Sequence, residues 1–173
     1  MRGVVNIMVE PSSVGLEARK REDENIKFRS FLKNRADCDE LDRQFLELHN
    51  ELFTGYDCCK YNNCCREYST ILQESDVESI SSFLGLSKQE FSEKHLNKST
   101  DGIEIKTPCC FLKGNGECAI QECKPEECRD FPHTDKPDRL FSLHGVLSFA
   151  EVCPVVFEIL ERLKVVYGFR TRW

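Results

Sequence analysis

The sequence predicts a mainly α-helical fold that carries a small antiparallel β hairpin, with cysteine-rich metal-binding loops between the helices. Apolar residues recur at helical spacing in several segments, and capping signals with terminal glycines mark the ends of these segments. Eleven cysteines fall mainly in the short stretches between them. The chain of 173 residues has the usual length of one domain, and its 40% hydrophobic and 31% charged residues are typical of a globular protein.

The N-terminal part of the chain carries few regular patterns. Residues 1–23 are expected to be loosely structured, because Pro11 and Gly15 interrupt them and a charged run follows. Residues 24–173 are expected to form a single cysteine-cluster domain. Within it, residues 26–32 alternate apolar and basic side chains, a pattern that fits either a short helix or a strand.

Three helices are predicted in the middle of the chain. Residues 38–53 carry leucine and phenylalanine at spacings of four, three and four, and Asp37 is a suitable N-cap. Residues 75–78 form a capping box in front of a second helix, which Gly85 ends. Residues 87–90 form another capping box and open the third helix.

The predicted β structure follows these helices. Residues 102–106 alternate apolar and polar side chains and are expected to form a strand. Residues 109–112 and 118–120 flank the turn sequence KGNG at 113–116, which predicts a small hairpin. A last helix is predicted over residues 148–165, opened by Ser148 and Glu151 in capping-box spacing and containing Pro154 in its first turns.

The cysteines indicate metal binding in a reducing compartment. Their number is odd, three pairs are adjacent in sequence, and no export signal precedes them, so a disulfide framework fits poorly. A cytoplasmic location is therefore expected, and no run of 18 apolar residues predicts a membrane span. The eleven cysteines are Cys38, Cys58, Cys59, Cys64, Cys65, Cys109, Cys110, Cys118, Cys123, Cys128 and Cys153.

The charge of the chain argues against nucleic acid as a partner. The formal net charge is −6 and the pI is about 5.3, whereas a protein that binds the phosphate backbone needs a basic face. The expected partners are metal ions and, for a metal-handling role, another protein.

Three cysteine blocks carry the chemistry: residues 57–65 (DCCKYNNCC), residues 109–120, and residues 123–132 (CKPEECRDFP). Thiolates are soft ligands that suit Zn²⁺ and iron–sulfur clusters. Because the sulfurs of adjacent cysteines usually project in different directions, Cys64 and Cys65 are expected to serve two centres, or one centre plus packing.

These blocks resemble the YkgJ-type cysteine-cluster family, whose members are described as zinc- or iron-chelating or iron–sulfur proteins. The family shows C-x-x-C-x-x-C-C, then a C-P-F-L-like block, C-x-I, R-P-x-x-C-R-x-[FY]-P and a final C-P, and the string KPEECRDFP at residues 124–132 is the most specific match. The cysteine domain of flagellin lysine-methylating enzymes has a similar pattern. The resemblance covers roughly residues 56–165.

The resemblance implies a set of metal ligands with one position missing. Tyr61 stands where the family has its second cysteine, and Lys124 stands where arginine is usual. Our hypothesis is that Cys59 or Cys123 replaces the missing ligand. The predicted ligands are then Cys58, Cys59, Cys64, Cys65, Cys109, Cys118, Cys123, Cys128 and Cys153.

Arg129 has two interpretations. It can bind next to the metal cofactor, where it compensates the negative charge of the thiolates and donates hydrogen bonds from its N–H groups to the sulfurs. It can equally form a surface ion pair with Asp130 or Glu126, which contributes little to stability.

Other candidate residues also allow more than one role. His133 and His144 are candidates for a Cys₃His site. Cys38 lies on a helical pattern and is expected to be a half-buried helix residue. Cys109 and Cys110 alternate on a predicted strand, so only one of them should face a given metal, and Cys109 is favoured.

Two functions remain open from the sequence. The first is a metal-binding protein that holds Zn²⁺ or an iron–sulfur cluster through cysteine thiolates, in a structural or metal-handling role. The second is an iron–sulfur-dependent redox or methyl-transfer enzyme. No P-loop, dinucleotide fingerprint, nucleophile elbow or HExxH motif supports a different activity.

Overall fold

A computed structural model of the chain describes residues 8–170, except for the side chain of Cys59. The helices are α1 (Val14–Lys20), α2 (Glu22–Arg35), α3 (Cys38–Phe53), α4 (Cys58–Tyr61), α5 (Asn63–Glu67), α6 (Glu74–Leu84), α7 (Lys88–His95), α8 (Glu126–Asp130), α9 (Arg139–Ala150) and α10 (Pro154–Val166). The strands are β1 (Ile71–Leu72), β2 (Leu96–Lys98) and β3 (Ile103–Ile105). The predicted fold class, mainly α with a small antiparallel sheet, is confirmed.

The contacts divide the chain into two units. One comprises residues 1–57 and 132–173 and is called the helical unit here; the other comprises residues 58–131 and is called the cysteine unit. Over residues 8–170, no helix combines the length and the apolar character needed to cross a membrane.

The helical unit is built from α1, α2, α3, α9 and α10, which pack against one another. The helix α3 has the predicted bounds, and the Asp37 carboxylate accepts the Glu40 N–H at 3.0 Å as the predicted N-cap. Residues 26–32, which fitted either a helix or a strand, lie within α2. The fully buried core side chains include Phe28, Leu32, Leu41, Phe45, Leu143, Ile159, Leu160 and Leu163.

Residues 8–23 contain more regular structure than the sequence predicts. Residues 1–7 lie outside the described part of the chain. Pro11–Ser13 form a 3₁₀ turn, and α1 follows directly. Val14 and Ala18 are buried, because residues four apart lie on the same face of a helix and can pack together.

The prediction of one last helix over residues 148–165 is wrong. The structure has α9 and α10 with a break at residues 151–153. Proline has no N–H to donate and is suited to the first position of a helix, and Pro154 takes that position in α10. The capping box of α6 is also formed by other residues than predicted, because Gln73 and Asp76 form it instead of residues 75 and 78.

The cysteine unit contains a three-stranded antiparallel sheet with the order β1-β3-β2. The predicted strand at residues 102–106 is confirmed as β3, and a hairpin joins β2 to β3.

The hairpin predicted around the turn at residues 113–116 is present in a shortened form. Leu112 and Cys118 form an antiparallel bridge, the Ala119 N–H donates to the Phe111 carbonyl at 2.8 Å, and the Lys113 N–H donates to the Glu117 carbonyl at 2.9 Å. Neither segment is long enough to form a strand, and the first one begins with a turn, in which the Leu112 N–H donates to the Cys109 carbonyl.

A separate hydrophobic core stabilises the cysteine unit. Side chains from α6, α7, the sheet and the turns at residues 109–120 meet in it. Its buried members are Leu72, Val77, Ile80, Phe91, Leu96, Ile105, Phe111 and Ile120.

Replacing Ser87 with alanine should lower the free energy of unfolding by about 1 kcal/mol. The predicted capping box is confirmed here: the Glu90 N–H donates to the Ser87 hydroxyl, and the Ser87 N–H donates to the Glu90 carboxylate at 2.9 Å. Denaturant unfolding measures the change. Ser92→Ala, a substitution within the same helix, is the control and should leave the midpoint nearly unchanged; equal losses in both variants would contradict the capping role.

Candidate metal centre

Five cysteine side chains line one cavity in the cysteine unit, which is called the thiol cavity from here on. They are Cys64, Cys65, Cys109, Cys118 and Cys128. The remaining lining residues are Tyr68, Thr70, Ile105, Ile120, Lys124, Pro125 and Phe131. The cavity has a volume of about 40 Å³. Because roughly 10–15 Å³ is enough for one water molecule, a metal ion has room in it.

Three separate segments bring these cysteines to the cavity: α5, the loop that carries Cys109 and Cys118, and α8. The short helix α5 carries Cys64 and Cys65, and α8 carries Cys128. Asn62 has a positive φ of 55°, which separates α5 from α4, and asparagine tolerates this left-handed conformation better than most residues. The Cys109 N–H donates to the Cys65 carbonyl at 2.7 Å, which ties the turn at Cys109 to α5.

The adjacent residues Cys64 and Cys65 lie beside the same cavity. Both line the thiol cavity, and their side chains are hydrogen-bonded to each other. This hydrogen bond, followed by burial, raises the pKa of the Cys65 thiol far above its ordinary value. Whether this pair serves two centres, or one centre plus packing, stays a prediction.

The other buried thiols also bind their protons tightly. Burial raises the pKa of Cys109, and the nearby backbone N–H groups of Phe111 and Leu112 act in the opposite direction. Burial raises the pKa of Cys128 to about 11. In the metal-free chain these thiols are protonated at neutral pH. A metal ion that binds to them has to displace the protons, so its affinity rises with pH.

Lys124 is the cation that lines the cavity. The pKa of Cys65 and of Cys128 is raised overall, and the positive charge of Lys124 partly opposes this rise because it favours the thiolate forms. Arg129, to which the sequence assigned either charge compensation or a surface ion pair, is exposed and donates to the Lys124 carbonyl. The positive charge that lines the cavity is thus that of Lys124, five residues before Arg129 in the same KPEECRDFP string.

Three of the predicted ligands whose side chains the structure describes, Cys58, Cys123 and Cys153, are not among the residues that line the cavity. Cys58 is exposed on α4, and the side chain of Cys59 lies outside the described part of the chain. Cys123 is half-buried and packs against the core of the cysteine unit. Cys153 is buried in the helical unit, where it is the N-cap residue of α10. Their roles as metal ligands stay predictions, as does the replacement of the ligand missing at Tyr61.

The remaining candidates have other surroundings. His133 and His144 belong to the helical unit, and His144 is exposed on α9. Cys38 is exposed as the first residue of α3, so the expectation of a half-buried residue is wrong. Cys110 is exposed and its sulfur lies 3.2 Å from Nδ1 of His95, whereas Cys109 faces the cavity.

Two polar residues of the cavity were not found by sequence reasoning. The Thr70 hydroxyl lies 3.2 Å from the Cys128 sulfur, and the Tyr68 hydroxyl donates to the Glu127 carboxylate at 3.0 Å. Each pair is separated by more than 50 residues in the sequence, and no motif connects them. Only the fold brings them together.

The donor set fits a soft metal, since zinc and iron–sulfur centres are both bound by cysteine thiolates. Among the side chains that the structure describes, no group of three or more cysteine, histidine, aspartate or glutamate residues has an arrangement that could already hold a metal ion.

Comparison with known proteins confirms the resemblance inferred from the sequence. No solved structure matches the chain. The model of the CxxCxxCC family, described as "Putative zinc- or iron-chelating domain", matches residues 56–154. The matched segment covers more than half of the chain and includes all five cysteines of the thiol cavity. The chain therefore belongs to this CxxCxxCC family.

Proposed function

We propose that this protein binds zinc or iron through the cysteines of the thiol cavity, and that the bound metal stabilises the cysteine unit. The observation that carries the proposal is the convergence of five cysteine side chains from separate segments on one cavity. Membership of the zinc- or iron-chelating family supports the same chemistry.

Packing alone is a poor explanation of this convergence. A single buried cysteine often acts as a small hydrophobic residue. Here five cysteines share one cavity with Lys124, whose charge acts against the effect of burial on the pKa of Cys65 and Cys128. Burial prevails in the metal-free chain, so the pKa of both thiols is raised. A hydrophobic core does not need a cation beside its thiols. Metal ligation is helped by one, because the thiolate is the form that binds the metal.

The cavity supports a structural role more directly than a catalytic one. Structural zinc sites are closed, with four protein ligands, whereas catalytic sites keep one position for water or substrate. Five cysteines line the thiol cavity, one more than a four-coordinate centre made of protein side chains needs. Metal binding would have to draw their sulfurs together, since no three of the described side chains are arranged to hold an ion in the metal-free chain. When bound, the metal would join α5, α8 and the turn at Cys109 by covalent coordination.

Metal analysis of the protein purified without oxygen tests this proposal. We expect at least one zinc or iron per chain in the wild-type protein. Iron with a matching amount of acid-labile sulfide would identify an iron–sulfur centre, and zinc without sulfide would identify a zinc ion. Protein that contains neither metal, and that takes up neither after reduction of its thiols and incubation with each metal, would overturn the proposal.

A further inference from the structure

The hydroxyl group of Thr70 is buried beside the thiol cavity. Only 7% of the residue is exposed, and its Oγ1 lies 3.2 Å from the sulfur of Cys128. A buried hydroxyl group needs a hydrogen-bond partner, because it has lost the water that would otherwise satisfy it. The Cys128 sulfur is in the position of that partner.

This hydrogen bond suits a metal-bound sulfur better than a neutral thiol. A neutral thiol is a weak donor and a weak acceptor, whereas a hydrogen bond to a charged acceptor is roughly twice as strong as one between neutral groups. Once Cys128 is a thiolate, it can only accept, so the Thr70 hydroxyl becomes the donor. The contact is therefore strongest in the state in which the metal is bound.

The two residues lie on elements of different rigidity. Thr70 directly precedes β1, and its carbonyl accepts the Ile105 N–H at 3.0 Å, so the sheet fixes its backbone. Cys128 lies on α8, a helix of only five residues. A helix this short has little stability of its own. The sheet can thus hold the Cys128 sulfur in place through the Thr70 hydroxyl.

We propose that Thr70 is a positioning residue for the metal centre, and that its hydroxyl donates to the Cys128 thiolate and holds this sulfur toward the thiol cavity. The inference rests on the proposed function of the cavity and adds a residue that belongs to none of the cysteine blocks. Partners that orient metal ligands in this way typically change metal affinity about 10–100-fold when they are removed.

Zn²⁺ binding to metal-free Thr70 variants tests the proposal. The affinities of wild type, Thr70→Ser and Thr70→Ala are compared by competition with a chelator in the absence of oxygen. Serine and alanine at this position differ by a single hydroxyl oxygen, so their comparison isolates the hydrogen bond. We expect Thr70→Ala to bind Zn²⁺ about 10–100-fold more weakly than Thr70→Ser, which should stay close to wild type.

Ser69→Ala is the matched control, because the exposed Ser69 hydroxyl pairs with Thr107 and is not in the cavity. It should bind Zn²⁺ as wild type does. Equal affinities of Thr70→Ala and Thr70→Ser would overturn the proposal, including the case in which both are equally weakened. Wild-type protein that contains zinc or iron would still support the proposed function in that case, so the two failures are distinguishable. Circular dichroism of the metal-free variants confirms that the two compared chains are folded alike.

Discussion

Replacing Cys65 and Cys128 together with serine should remove the metal from the protein. Both side chains line the thiol cavity, and they come from different helices, α5 and α8. Of the five cavity sulfurs, three remain in this variant, which is fewer than a four-coordinate thiolate centre needs. A neutral serine hydroxyl is also a poor substitute for a soft, anionic ligand.

The expected effect is large. Loss of an outer hydrogen-bond partner already weakens metal binding about 10–100-fold, and loss of two direct ligands should exceed this range. Metal content per chain, measured after purification without oxygen, should fall to the background level of a protein that has no site. A size-exclusion profile and a circular dichroism spectrum recorded on the same samples show whether the variant is still folded.

Cys38→Ser and Cys110→Ser are the matched controls for this experiment. Each removes a thiol that is exposed and is not part of the thiol cavity, one from the helical unit and one from the cysteine unit. Both variants should keep the wild-type metal content. If the two controls lose as much metal as the double variant, or if the double variant keeps its metal, the thiol cavity is not the binding site.

The helices that the sequence predicted correctly are those with signals inside the helix itself. The bounds of α3 follow from the Asp37 cap and the apolar spacing, and those of α7 follow from its capping box. The last helix was predicted as one element because residues 146–160 are mostly apolar and because Ser148 and Glu151 have the spacing of a capping box. The structure instead has two helices, α9 and α10, which both bury apolar side chains in the helical unit. The break before Pro154 lets the two helices pack against each other, and the local sequence pattern does not show this.

The extent of the predicted hairpin depended on tertiary structure in the same way. The sequence KGNG is a strong turn signal, and a short antiparallel pairing does form on its two sides. The Cys109 N–H, at the start of the first segment, donates to the Cys65 carbonyl, and the sheet forms from β1, β2 and β3. Both features involve contacts between residues that are distant in the sequence, which local pattern does not reveal.

The site was partly predictable for a chemical reason. Cysteine is rare enough that its clusters are visible in sequence, and five of the nine predicted ligands line one cavity. Which of the nine converge could not be predicted, because it depends on how α5, α8 and the turn at Cys109 meet. Thr70 and Lys124 were assigned no role at the site, since threonine and lysine are common residues whose meaning here comes from their distance to a sulfur.

Removing the metal from the wild-type protein should unfold the cysteine unit to a much greater extent than the helical unit. The cysteine unit spans residues 58–131 and has a small core of its own. In domains of about this size a single core rarely supplies more than about 3–5 kcal/mol of stability. A structural zinc ion contributes on the order of 10 kcal/mol to the folding of a small domain, which exceeds the contribution of such a core.

Hydrogen exchange of the full chain, followed by mass spectrometry, measures the effect in each unit separately. In the metal-loaded protein the amides of the sheet should be protected, among them the Ile105 N–H that donates to Thr70 and the Lys106 N–H that donates to His95. After treatment with a strong chelator under reducing conditions, these amides should exchange at close to the rate of an unfolded chain. Peptides from α3 and α10 should keep most of their protection, because their buried side chains belong to the core of the helical unit.

Two controls identify the metal as the cause of this change. Adding Zn²⁺ back to the chelator-treated protein should restore protection in residues 58–131, and the Cys65→Ser, Cys128→Ser double variant should show no further loss when the chelator is added. Protection that stays unchanged in the cysteine unit after the metal has been shown to be absent would mean that the core of this unit is sufficient on its own. The bound metal would then have a role other than holding the fold together, and a search for a reaction at the thiol cavity would be justified by that result.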